Sequence, residues 1–172
     1  MKSMDIFEAL MTRRSIRQFT SDPVSEAAIL KVLEAAMMAP SAGNAQPWHF
    51  VLVTDRGLLD KIAEIHPYAG MSRDAAAGIL ICGDLRCERY PGNWPADCSA
   101  ATQNILLALH GLGLGGVWTG IWPGEELMQN FRELLGLPDE AMPLAFVPFG
   151  WPASVPPTPA RYQPDRVHLN GW

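Results

Sequence analysis

The chain has 172 residues and a mass of 18.8 kDa, enough for one domain that buries a core without disulfides or a structural metal. With 48% hydrophobic and 18% charged residues it is too apolar for a disordered chain, and its net charge of -5 argues against general binding to nucleic acid or to an anionic membrane surface. No apolar run approaches the ~20 residues of a transmembrane helix, the acids in the opening MKSMDIFEAL do not suit a secretory signal, and three cysteines without a CxxC pair suit a reducing cytoplasm.

In chain order, Asp5 with Glu8 three residues later has the spacing of a capping box, and Ile6, Phe7, Leu10 and Met11 follow at helical spacing. The pattern breaks in Arg13-Arg14-Ser15-Ile16-Arg17-Gln18-Phe19. Ser25 is expected to cap a second helix with Ile29, Leu30, Val32, Leu33, Ala36 and Met37 apolar, ended by Pro40. Residues 40–48 form a loop by composition, and 49–54 read as a largely buried strand. Residues 57–65 predict a short helix, and 75–83 hold a second buried run. Residues 86–95, with Pro91, Gly92 and Pro95, read as a loop before a long helix over 96–112. Val117-Trp118-Thr119 starts another strand, 125–135 predict a helix stopped by Gly136 and Pro138, and 144–150 are the last strand. After Trp151, five prolines in twenty-two residues forbid regular structure, yet Val167, Leu169 and Trp172 need something to pack on. Helices and strands mix without a βαβ rhythm, which predicts an α+β fold in one domain.

Three segments could carry chemistry. Arg13, Arg14 and Arg17 with Ser15 place three forked cations and a hydroxyl within five residues, suited to a dianionic phosphate. The same cluster could be a solvated basic turn at a helix C-terminus. In 40–48, Asn44 and Gln46 offer amides that can read the edge of a planar heterocycle, though turn residues also suit a plain connection. The glycines of 111–120 follow a helix and precede a strand, the reverse of a dinucleotide loop, so they are expected to let backbone N–H groups approach a flat ligand. No GxSxG and no evident Cys–His pair is present, and the scattered histidines give no zinc spacing, so hydrolysis and a metal centre are disfavoured.

Taken together, Arg13 to Phe19, then Ala39-Pro40-Ser41-Ala42-Gly43-Asn44-Ala45-Gln46-Pro47-Trp48, then Gln103-Asn104, Gly113-Leu114-Gly115 and Trp118-Thr119-Gly120 resemble the nitroreductase family of FMN-dependent flavoproteins. The tail, Arg161-Tyr162 with Asp165 to Asn170 and Trp172, is similar to a common ending there. The resemblance implies an α+β fold with a mixed, mostly antiparallel sheet flanked by helices, in an interlocked homodimer whose 151–172 arm packs on the partner. It implies FMN bound by Arg13, Arg14, Ser15 and Arg17 of one subunit, with Arg13 and Arg161 facing the phosphate. Arg17 would lie near the pyrimidine end, where a cation stabilises the reduced flavin. Pro40, Ser41, Asn44 and Gln46 would come from the other subunit, and Trp118, Thr119 and Gly120 would run beside the flavin edge. Ala42-Gly43 and Gly115-Gly116-Val117 depart from the usual family residues without removing a charged contact. The implied activity is ping-pong hydride transfer from NADH or NADPH through FMN to a small electron-poor acceptor such as a nitroaromatic or quinone, with no catalytic acid or base from the protein. Tyr90 and Trp94 of the 86–95 loop are weaker candidates to stack on a substrate. A flavin enzyme of the same fold with another reaction (reductive dehalogenation), a non-catalytic FMN-storing dimer and a cofactor-free helical module are the other readings.

Overall fold

The computed structural model describes residues 4–172; the first three residues of the opening segment, and of the expected single-domain span, lie outside them. Helix α1 (Ile6–Thr12) starts where Asp5 accepts the free backbone N–H groups of Phe7 and Glu8. Its apolar stripe faces outward: Phe7 is 73% exposed, and Ala9 alone of the helix is buried. Helix α2 (Glu26–Met37) is capped by Ser25 through the Ala28 N–H. A 3-10 turn at Ala42–Asn44 leads into strand β1 (Trp48–Val53). Helix α3 (Arg56–Ile65), capped by Asp55, is followed by a 3-10 turn at Gly70–Arg73 and strand β2 (Ala77–Asp84).

Helix α4 begins at Trp94 and runs to Gly111, two residues earlier than its apolar period indicates. Pro95 at its start explains the difference, because proline needs no N–H partner in a first helical turn. Two short strands, β3 (Gly115–Gly116) and β4 (Thr119–Gly120), stand where a single strand was expected around Val117. Helix α5 (Glu125–Leu135) stops at Gly136 in the left-handed conformation, and β5 (Ala141–Gly150) starts three residues before the expected strand.

The sheet order is β1-β2-β5-β3, with β4 also on β5, and every pairing among the described residues is antiparallel. Strand β2 is buried along its whole length, which is why its sequence lacks polar alternation. Ile79 and Ile81 enter the core under α2 and α4, with Val32, Ile105 and Val147. Leu80 and Cys82 enter the core under α3 and α5, with Leu59, Phe131 and Phe146. The structure is therefore α+β, with a helical layer on each face of one antiparallel sheet.

Candidate active site

The arginine segment is seated on the sheet edge by an apolar residue between the cations. Ile16 is buried, and its N–H donates to the Gly116 carbonyl at 3.0 Å. A Cβ on Gly115 would sit 2.3 Å from Ile16 Cγ1, so only glycine admits this seat. This corrects one expectation. Gly115 and Gly116 serve packing within the chain (a Cβ on Gly116 would meet Leu109 and the Pro148 carbonyl), while Gly120 has open space before it.

Arg13 is half-buried, and burial first, then the nearby Arg14 and Arg161, holds its pKa below the ordinary arginine value. Arg161, far along the tail, thus lies in the field of Arg13. Among the described residues, none of Arg13, Arg14, Arg17 and Arg161 makes an ion pair with an acid. Arg14 turns back onto the α1 terminus, donating to the carbonyls of Met11 and Arg13, and its buried Nε has no partner. His110 stands close by; burial first, then Arg13 and Arg14, lowers its pKa. The corner concentrates positive charge: Glu8 acts on His110, but none of the arginines has an acid at ion-pair distance among the described residues.

Arg17 borders a cleft of about 530 Å³. One wall is Val117 to Gly120 and the other is the turn from Pro67 to Met71. Trp118 is half-buried, and Thr119 points inward, its hydroxyl donating to the Phe146 carbonyl at 2.7 Å, so Thr119 presents its backbone to the cleft. Tyr68, exposed on the second wall, is a candidate the sequence reading missed, because nothing in the sequence sets His66-Pro67-Tyr68 opposite Gly120.

The 40–46 loop is on neither wall. Pro40 is exposed, Ser41 Oγ accepts the Gln46 N–H at 3.0 Å, and Gln46 Nε2 donates to Asn44 Oδ1 at 3.3 Å. Gly43, Asn44 and Gln46 all have positive φ, a costly conformation for the two amides. Buried Asp97 anchors the loop by accepting the Ala42 N–H at 2.8 Å. Asn44 and Gln46 remain exposed. No hydrogen bond among the described residues joins this loop to the arginine segment or the cleft.

Tyr90 lies half-exposed over Gly43, and Arg89 donates to the Gly43 carbonyl at 3.2 Å. Trp94 is 6% exposed in the first turn of α4, over Gly83 and edge-on to Trp122 at 5.9 Å, so its ring has no free face in the protomer. Burial pushes the thiols of Cys82 and Cys98 up to about 12, which leaves them inert near neutral pH. The fold also gathers His49, Asp84 and Cys87, with ligand atoms within 4.8 Å of one another, a cluster their spacing in the sequence hides. The Asp84 carboxylate is already held by Arg86 at 2.8 Å, which keeps its pKa low, at about 2.

The chain and its α+β fold have close counterparts. The nitroreductase family model matches residues 10–77 and 67–151. A protein of Methanothermobacter thermautotrophicus named "Putative NADH dehydrogenase/NAD(P)H nitroreductase" is 48% identical over 169 residues, covering 98% of this chain and 88% of that one. One of the same name from Archaeoglobus fulgidus is 44% identical, covering 98% and 99%. Among solved structures, a Parabacteroides distasonis protein of that name superposes with a TM-score of 0.93 at 39% identity, over 96% and 98% of the chains. A Desulfovibrio desulfuricans structure, described as a nitroreductase homologue in complex with FMN, superposes at 0.84 with 30% identity over 99% of each chain. Fold and likeness together define an α+β oxidoreductase. The chain belongs to the nitroreductase family.

Proposed function

We propose that this protein is an FMN-dependent NAD(P)H oxidoreductase working as a homodimer with shared sites. The observation that carries the reading is the set of arginines without acid partners beside a cleft bounded by backbone. The donor set fits FMN at both ends. Arg13, Arg161 and Ser15 would bind the phosphate, and the basic corner supplies the charge it lacks. Arg17, with the backbone of Trp118 to Gly120, would hold the ring in the cleft. When bound, FMN supplies hydride transfer from NADH or NADPH to an electron-poor acceptor such as a nitroaromatic or quinone, in two half-reactions. The chain contributes orientation, cationic charge near the ring and exclusion of water.

Two features support the homodimer. The outward stripe of α1 and the apolar cleft of about 590 Å³ beside it, bordered by Ile6, Met38 and Leu107, would be covered by a second copy. Residues 153–172 are all exposed, as an arm laid on a partner would be when seen alone. Pro40, Ser41, Asn44 and Gln46 would then reach the flavin of the partner, and Tyr90 would stand over the substrate, with Trp94 anchoring the loop that carries it.

A mixing experiment tests the shared site. Arg13→Ala and Asn44→Ala chains, each weak in FMN binding alone, should regain one intact site per heterodimer when unfolded together and refolded. No recovery in proven heterodimers would place both residues in the same protomer's site.

A further inference from the structure

His66 lies behind the cleft, at the C-terminal end of α3, and is 1% exposed. Both of its ring nitrogens are committed. Nδ1 accepts the backbone N–H of Tyr68 at 3.1 Å, and a backbone N–H can only donate, so Nδ1 carries no proton. Nε2 stands 3.0 Å from the Gly120 carbonyl, which can only accept, so Nε2 carries the proton. The two contacts select one neutral tautomer. Edge-on contacts with Phe131 at 6.2 Å and Tyr68 at 6.3 Å set the plane of the ring. Burial also lowers the pKa of the group, in keeping with a neutral ring.

The partners of His66 stand on opposite walls. Tyr68 belongs to the Pro67–Met71 turn and Gly120 to the Val117–Gly120 edge. Among the described residues, no backbone hydrogen bond crosses between these walls. The imidazole is therefore their polar tie. We propose that His66 is a positioning residue that fixes the spacing of the two walls of the flavin cleft, acting from behind through its Nε2–H tautomer. The inference rests on the reading of this cleft as the flavin site; the tautomer and the tie do not.

Two substitutions cut the tie at different ends. In His66→Asn the carboxamide oxygen replaces Nδ1 as acceptor for Tyr68, but the side chain is too short for Gly120. In His66→Gln the amide nitrogen replaces Nε2 as donor to Gly120, and Tyr68 N–H loses its acceptor. Long-range proton–nitrogen NMR on the full wild-type chain, without FMN, should show a neutral ring protonated at Nε2. The Tyr68 amide should exchange with solvent at least about tenfold faster in His66→Gln than in wild type or His66→Asn. A ring protonated at Nδ1, or equal exchange in all three proteins, overturns the tie whatever the cleft binds. FMN titration by fluorescence then tests positioning: both variants should bind about three- to tenfold more weakly, the range for one lost buried hydrogen bond. Wild-type FMN affinity in folded variants with confirmed loss of the tie overturns the role and leaves the flavin reading standing. Failure of the wild type to bind FMN overturns both readings.

Discussion

Arg13 combines partial burial with two like-charged neighbours, and each of these disfavours its charge. The charge of a bound phosphate would offset both the burial and the repulsion. Arg13→Ala or Arg161→Ala should therefore weaken FMN binding by about 1.5–3 kcal/mol, the worth of a charge-assisted hydrogen bond, as read by titration calorimetry. Unchanged affinity in both variants would remove the phosphate assignment. The histidines make a second residue-scale prediction. His66 and His110 both have pKa values held below the ordinary value of about 6.5. The folded state thus prefers them neutral, and the unfolded chain takes up protons first. The stability they contribute is complete above about pH 6.5 and is lost as pH falls from there through their folded pKa values. Urea midpoints should decline over that interval, and less steeply in His66→Gln. Asp84 behaves in the same sense at lower pH: with its pKa near 2 against about 4 unfolded, its contribution holds above pH 4 and goes between 4 and 2.

At the scale of elements, the pairing of β3 with Ile16 decides where the arginines stand. Gly115→Ala would drive a methyl into Ile16, an overpacking that costs about 1–3 kcal/mol and lowers Tm by roughly 2–12 °C. It should also weaken FMN binding, although residue 115 is not among those bordering the cleft. A variant with lowered Tm and wild-type FMN affinity would show that the arginine segment does not depend on this seat. Much at this scale was legible in the sequence. Helices α2, α3 and α5 lie within a residue or two of their expected spans; Ser25 caps the start of α2 and Gly136 stops α5, as their residue types indicate. The paired strands β3 and β4 were not legible, since two-residue strands carry no period. Nor was the work of Gly115, whose reason is Ile16, ninety-nine residues earlier. The arginine and amide segments were legible as candidate sites from their own residue types, but Tyr68 and His66 join the cleft only through the fold.

For the whole molecule, the arm and the α1 face supply the argument for a second copy. Residues 151–154 belong to their own protomer: Thr20 donates to the Trp151 carbonyl, Ala153 to the Gln18 carbonyl, and the Ser154 hydroxyl to Gln18 Oε1. Beyond Ser154, Tyr162, Val167, Leu169 and Trp172 stand in solvent, a large apolar exposure for one chain to leave uncovered. A chain ending at Ser154 should fold, shift toward monomer in sedimentation velocity and lose FMN. A dimer of full strength after truncation would confine the arm to a minor role. Among the described residues, no helix is long and apolar enough to cross a membrane.

If the cleft is an enzyme's flavin site, bound FMN should be reduced and reoxidised there, which storage alone does not require. Mixing the FMN-loaded protein anaerobically with NADH and with NADPH in a stopped-flow instrument, then adding a nitroaromatic or a quinone, distinguishes the two. Rapid bleaching of the flavin absorbance by at least one nicotinamide, and its return on adding the oxidant, is the expected result. Bound FMN that neither nicotinamide bleaches at a useful rate would contradict it and leave a storage protein.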